Sequence, residues 1–103
     1  MTDLEMIKKC AEKMGLNHRV GILQGTIERV FYWNDNVERV YDPLHDDAQA
    51  MALLFLLMLE GEVIINSDEF RFNSDLNGIE AVHSVVSQQD LNRAIVECVS
   101  KLV

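Results

Sequence analysis

The sequence is poor in the residues that break or cross-link a chain. Its 103 residues include one Pro, five Gly and two Cys, and no Pro-rich, Ser-rich or repeated block occurs. This composition argues against a long flexible linker or disordered tail, because such segments are enriched in polar and chain-breaking residues. We therefore predict one ordered domain that spans residues 1–103.

The two cysteines indicate neither a disulfide nor a zinc site. Cys10 and Cys98 lie near opposite ends of the chain, at apolar positions of helical patterns, and no CxxC pair occurs. Zinc sites use closely spaced ligands, whereas free cysteines at such positions behave as small hydrophobic residues. The chain also begins without the cationic and apolar segments of a secretory signal. We therefore expect a cytoplasmic protein with reduced cysteines.

Basic residues are scarce relative to acidic ones. Nine Lys and Arg against seventeen Asp and Glu give a formal net charge of −8. Nucleic-acid affinity depends on Lys and Arg contacts to phosphates, so direct binding to DNA or RNA is disfavoured. The acidity is explained by solubility, or alternatively by a surface that imitates nucleic acid or docks a basic protein.

An uninterrupted apolar run, AMALLFLLML at residues 50–59, stands out in this acidic chain. As a helix, ten residues cover about 15 Å, which is too short for a hydrocarbon layer of about 30 Å. The run also lacks the Lys and Arg stripe of a helix that lies on a membrane surface. A helix that is apolar on all sides predicts burial on all sides. We expect it to be the central helix, with a homodimer interface over any side that the domain leaves open.

Capping residues define the ends of this helix. Asp46 is a suitable N-cap, Gln49 three residues later completes a capping box, and Gly61 can close the helix in the left-handed conformation. These signals predict a helix over residues 47–60.

Two further helices and several strands follow from local patterns. Capping residues Thr2 and Ser87 precede amphipathic patterns that predict helices over residues 3–14 and 88–101. Runs of β-branched and aromatic residues predict a first hairpin around the turn 34–36, a second hairpin and a further strand. The runs lie at residues 19–24, 26–33, 37–41, 62–66, 69–73 and 79–86.

The predicted fold class is α+β, in the order α-β-β-α-β-β-β-α. The economical arrangement is a three-layer α/β/α sandwich, in which three helices flank a mostly antiparallel sheet of about five strands. Helices on both faces would also explain strands that do not alternate strictly between apolar and polar residues.

The segment YDPLHDDAQAMALL (residues 41–54) enters the middle helix from a strand-like segment, VFYWNDNVERV. It resembles the signature of the small Phage ABA sandwich domain proteins of bacteriophages and prophages, and RAIVECV (residues 93–99) is similar to their C-terminal helix. The resemblance implies an α/β/α sandwich of viral or prophage origin, and it carries no assigned activity. Tyr41 stands where the family often has Trp, and the middle helix is unusually apolar, which suggests a modified packing or oligomeric surface.

Candidate binding residues cluster around the first hairpin and the start of the middle helix. Aromatic side chains there could stack on a ligand or form an interface hot spot, although hairpin packing also explains them. Three adjacent residues, at positions 45–47, cannot all face one metal ion, and acids at a helix start suit its dipole. The candidates are Trp33, Tyr41, Asp42, His45, Asp46 and Asp47.

No catalytic residue, metal or cofactor is assigned. The three histidines are dispersed, and neither a nucleophile motif nor a phosphate-binding glycine motif occurs. An enzyme is therefore the less favoured interpretation. The first hypothesis is an acidic, non-enzymatic phage or prophage accessory protein that binds a host or phage protein in the bacterial cytoplasm. The alternatives are a small-molecule binding or hydrolytic domain with a site near Trp33, Tyr41 and His45, and a self-assembling homodimer.

Overall fold

The computed structural model describes residues 1–23 and 25–102, and in these residues three helices and six strands form an α+β architecture. The α+β class and the three helices are therefore confirmed. The elements in chain order are α1 (Asp3–Lys13), β1 (His18–Leu23), β2 (Ile27–Asn34), β3 (Val37–Tyr41), α2 (Asp47–Glu60), β4 (Glu62–Ile65), β5 (Glu69–Ser74), β6 (Ile79–Ser84) and α3 (Gln88–Ser100).

The three helices begin at the predicted residues. At Thr2, Asp46 and Ser87, the side-chain oxygen accepts a hydrogen bond from the backbone N–H three residues later, within 3.2 Å. These bonds satisfy N–H groups that have no partner inside the helix. Local capping chemistry thus fixes where each helix starts.

Two details at the ends of α2 differ from the prediction. Gln49 does not close a capping box; its side-chain oxygen accepts from Asp42 N at 2.7 Å, and its amide donates to Val40 O at 3.1 Å. Gly61 is extended, with φ −177°, and is not left-handed. Glycine is needed there because a Cβ would collide with the carbonyl oxygen of Asn73. Gln49 thus ties the start of α2 to the end of β3, and Gly61 lets the end of α2 approach β5 closely.

The strands form two separate antiparallel sheets, ordered β1-β2-β3 and β4-β5-β6. The predicted single sheet of about five strands is wrong, and the predicted three-layer sandwich does not match this architecture exactly. Consecutive strands pair through short turns, and in residues 1–23 and 25–102 no strand pairs across α2. The predicted run 19–24 corresponds to β1, which is separated from β2 by a turn at Gly25 and Thr26. The last predicted residue of this run, Gln24, lies outside the described residues.

The central helix of the fold is α3, so the prediction that α2 is the central helix is wrong. The helix α3 packs against α1, α2, β5 and β6, and its apolar side chains belong to a core cluster that also includes residues of α1, α2 and both sheets. Its buried residues occupy most of the helix circumference, and the strip that contains Arg93 and Lys101 stays exposed. The buried residues are Asn92, Ala94, Ile95, Val96, Cys98, Val99 and Ser100.

The helix α2 has the predicted bounds, but the domain itself does not bury it on all sides, so the expectation of burial within the domain is wrong. Ala50, Leu53 and Leu57 are buried, at spacings of three and four that mark a single face. The opposite face is covered by no other described part of the chain. Among the helices described, none combines the length and the apolar character needed to cross a membrane.

Candidate functional site

The segment that joins β3 to α2 brings three of the six candidate residues together. Tyr41, Asp42 and His45 line a cavity of about 140 Å³, which we call the junction cavity; α1 and β2 complete its walls. The His45 ring nitrogen Nδ1 lies 2.8 Å from Asp42 Oδ2. Because an ionised carboxylate only accepts, Nδ1 is the donor in this hydrogen bond, and in a neutral ring Nε2 would then be the acceptor.

The junction cavity is also bordered by polar atoms that lack partners. Among the residues described, the buried Tyr41 Oη and Asp42 Oδ1 make no hydrogen bond. Burial raises the pKa of the Tyr41 hydroxyl, so it stays neutral. The Asp42–His45 pair could bind a small polar ligand. The cavity is, however, smaller than the roughly 300 Å³ at which ligand pockets usually begin.

The other three candidate residues have different positions. Asp46 caps α2, and Asp47 Oδ1 accepts a hydrogen bond from the buried Asn92 Nδ2 at 2.8 Å. Trp33 does not line the junction cavity. It pairs with Glu38 across β2 and β3, on the sheet face opposite to Tyr41, because successive side chains alternate between faces.

The aromatic residue that does contact Tyr41 is Tyr32, which is not among the six candidate residues. The two rings meet edge to face, with centroids 5.7 Å apart. A turn at Asp35 and Asn36, both with positive φ, sets the register of β2 and β3. That register puts residue 32 on the same face as residue 41, so the turn signal could have identified it.

A second histidine site lies between β6 and α3. His83 Nε2 is 4.0 Å from Cys98 Sγ, and His83 Nδ1 is 3.6 Å from Glu97 Oε2. The order Glu, His, Cys resembles a nucleophilic triad, yet burial raises the pKa of the Cys98 thiol to about 11. A neutral buried thiol is a poor nucleophile. The partial burial of His83 between these two elements fits a structural role.

Metal binding has no support in the part of the chain that the structure describes. There, no three His, Cys, Asp or Glu side chains converge closely enough to hold an ion.

The exposed side of α2 is the most distinctive surface. We call it the α2 face and define it as Ala48, Met51, Ala52, Phe55, Met58 and Leu59. Phe55 is 63% exposed, Met58 58% and Leu59 76%. The sequence could not distinguish this side from the buried one, because every side of the run is apolar.

A shallow groove of about 330 Å³ continues the α2 face along one edge. Ala48 and Ala52 form its wall on the helix, and Met14, Leu16 and Tyr32 form much of the opposite wall. Small side chains on α2 therefore lie beside an apolar hollow, which we call the α2 groove.

Comparisons of the chain with protein-family models, with curated proteins and with solved structures found no match. The resemblance to the phage family stays a prediction.

Proposed function

We propose that the protein is a non-enzymatic protein-binding module that binds its partner through the α2 face. The observation that carries this proposal is the exposure of Phe55, Met58 and Leu59 on one side of a regular helix. Contiguous exposed apolar patches of several hundred Å² mark interaction sites, whereas isolated exposed apolar residues do not.

The distribution of charge supports the same function. From residue 48 to residue 59 the helix has no charged side chain, although the chain as a whole has a net charge of −8. An uncharged apolar centre inside a polar rim is the usual anatomy of a protein interface. The surrounding acids would discourage the binding of nucleic acid.

The setting that we propose is that of a small phage or prophage accessory protein in the cytoplasm of a bacterial host. The sequence resemblance of residues 41–54 and 93–99 supports it. Within that setting, the partner of the α2 face is a host or phage protein, and direct binding to nucleic acid is not part of the function.

Site-specific photo-crosslinking tests the proposal. Benzoylphenylalanine placed at position 55 of the full chain is expected to form protein adducts in bacterial cells. The matched control is position 82, because Val82 is also an exposed apolar residue, at 56%, but lies on a strand of the second sheet. Adducts that are absent at position 55, or equally abundant at both positions, would contradict binding through the α2 face.

A second candidate function, a small-molecule or hydrolytic site, rests on the Asp42–His45 pair at the junction cavity. The pair meets the geometric requirement for an oriented general base, with its 2.8 Å hydrogen bond. Arg29 lines the same cavity and could bind an anionic group of a ligand. Of the residues predicted for this alternative, Tyr41 and His45 lie at the cavity and Trp33 does not.

Thermal shift with a panel of nucleotides and divalent metal ions tests this second function. A ligand of the junction cavity should raise the Tm of the native protein and have a smaller effect on His45→Ala. His45 is exposed, so the substitution should leave the fold intact. The absence of any shift, or an equal shift in His45→Ala, would count against this function.

A further inference from the structure

We propose that the partner of the α2 face is a second copy of this chain, whose α2 docks antiparallel to the first across a two-fold axis. This inference rests on the proposed function, because it names the partner of the same surface.

The first observation is a helical seam along the centre of the α2 face. Ala48, Ala52, Phe55 and Leu59 follow one another at spacings of four, three and four, and all four are exposed. This is the repeat by which two helices pack along a common seam in coiled coils. The seam is short, about three turns, and it contains no polar residue.

The second observation is the order of side-chain sizes along that seam. The small residues Ala48 and Ala52 occupy its first half, and the large residues Phe55 and Leu59 occupy its second half. An antiparallel pair centred between residues 53 and 54 places Phe55 opposite Ala52 and Leu59 opposite Ala48, twice by symmetry. Large-against-small pairing fills space as protein interiors do.

A parallel pair would pack poorly. It would set Phe55 against Phe55 and Leu59 against Leu59 at one end, and alanine against alanine at the other. The helices would be held apart at one end and leave a gap at the other. Size complementarity therefore favours the antiparallel arrangement.

The α2 groove supplies further space on the side of the small residues. It lies along Ala48 and Ala52, where the seam of one copy would receive Leu59 and Phe55 of the other. Its other wall offers Met14, Leu16 and Tyr32 as additional apolar contacts. Each protomer would thus present both the large side chains Phe55 and Leu59 and the α2 groove that receives those of its partner.

Charge permits this partner and predicts how salt affects it. The seam is uncharged, and antiparallel helices align their dipoles favourably. Each copy has a net charge of −8, however, so the two copies repel each other at long range. Salt screens that repulsion, so association should become stronger as ionic strength rises.

The area indicates a weak dimer. With about 200 Å² for each large side chain, Phe55, Met58 and Leu59 leave on the order of 400 Å² open, against about 800 Å² per partner in a standard interface. Contacts in the α2 groove would add to this area. We therefore expect an equilibrium between monomer and dimer and not a permanent complex.

Sedimentation equilibrium of the full chain tests the dimer. The native protein is expected to dimerise at concentrations up to about 0.5 mM, in the range of weak association, and to do so more strongly in high salt. Phe55→Glu should be monomeric over the same range, and the control Val82→Glu should behave as the native protein does. A native protein that stays monomeric, or a Phe55→Glu variant that still dimerises, would overturn the proposal.

Disulfide trapping tests the antiparallel register separately. Ala48→Cys and Leu59→Cys proteins, mixed in equal amounts and oxidised with diamide, are expected to cross-link to each other, and neither should cross-link alone. The native Cys10 and Cys98 are buried and should not interfere. Cross-linking of Ala48→Cys with itself, or no cross-linking in the mixture, would exclude the antiparallel pair.

The two proposals fail differently. A monomeric native protein whose position 55 still forms adducts with another protein retains the binding function and loses the second copy as partner. A monomeric protein without adducts at position 55 loses both.

Discussion

The helices α2 and α3 contrast in a way that their sequences alone do not suggest. The helix α2 is apolar from residue 50 to residue 59, yet one of its sides is exposed. The helix α3 contains Asn92, Arg93 and Glu97 among its apolar residues, yet it is buried on nearly all sides. The burial of a helix in this protein depends on its neighbours, because α3 packs against both other helices and the second sheet.

Burial of α3 requires that its polar groups find partners. Asn92 Nδ2 donates to Asp47 Oδ1 at 2.8 Å, and Ser100 Oγ donates to Glu97 O at 2.7 Å. Buried polar groups without such partners would be costly. The contrast therefore teaches that a mixed sequence can form the centre of a fold if each buried polar group is satisfied.

The largest expected effect separates a buried residue of α3 from an exposed residue of α2. Ile95→Ala should lower the free energy of unfolding by about 2–5 kcal/mol, because Ile95 is fully buried and its loss leaves a cavity. Phe55→Ala should change it by less than about 0.5 kcal/mol, because Phe55 contributes to a surface. Urea unfolding at low micromolar protein, where a weak dimer dissociates, measures both.

Equal losses in Ile95→Ala and Phe55→Ala would break the comparison, since Phe55 on α2 would then be as much part of the core as Ile95 on α3. A large loss for Phe55→Ala that appears only at high protein concentration would instead reflect dissociation of the dimer.

A smaller effect is expected where the two helices are joined by a hydrogen bond. Asn92→Ala should destabilise the protein by about 1–3 kcal/mol, because it leaves the Asp47 carboxylate and the Leu44 carbonyl without this donor. Gln89→Ala is the matched control, since it lies on the exposed side of the same helix. Thermal or urea unfolding that finds both variants equally stable would contradict a structural role for this bond.

Alkaline pH should lower the stability of the protein through its two buried thiols, Cys10 on α1 and Cys98 on α3. Burial raises the pKa of Cys10 to about 12 and that of Cys98 to about 11. As the pH rises, the unfolded chain therefore loses these protons before the folded protein does. The free energy of unfolding should be unaffected by the thiols below about pH 9 and should fall above it, by up to about 1.4 kcal/mol per pH unit for each thiol. Urea unfolding between pH 8 and about pH 11 should show a shallower decline for Cys98→Ala; a parallel decline would refute this assignment.

The smallest expected effect is a gain in stability from a substitution beside the start of α2. Tyr41→Phe should stabilise the protein by about 1 kcal/mol, because it removes a buried hydroxyl that finds no partner in residues 1–23 and 25–102. Tyr32→Phe is the control, since Tyr32 is only partly buried. A loss of stability in Tyr41→Phe, measured by the shift in Tm, would show that the hydroxyl has a partner in solution.

The helices could be predicted because their signals are local. Caps at Thr2, Asp46 and Ser87 lie beside the residues that they stabilise, and the predicted bounds differ from the observed ones by no more than a residue. The division of the strands into two sheets could not be predicted, because local sequence patterns do not show whether strands before and after α2 pair with each other. The exposed side of α2 could not be predicted either, because the burial of a helix side depends on which distant elements pack against it.

The candidate site shows the same division between local and distant information. Tyr41, Asp42 and His45 come together because they are neighbours in the chain, and the sequence identified all three. Trp33 was placed with them because of its chemistry, although strand alternation puts it on the other face. The His83–Cys98 contact joins residues fifteen positions apart on two elements, and no local motif predicts this contact.

The attachment of α2 at both ends has a consequence for recognition. Gln49 bonds the backbone of Val40 and Asp42 at one end, and Ser74 Oγ donates to Glu60 O at 2.9 Å at the other. A helix secured in this way keeps its shape before and after an encounter, so little conformational entropy is lost on contact. Such rigidity lets a small surface achieve useful affinity, and loosening either attachment should weaken association without altering a single residue of the contact itself.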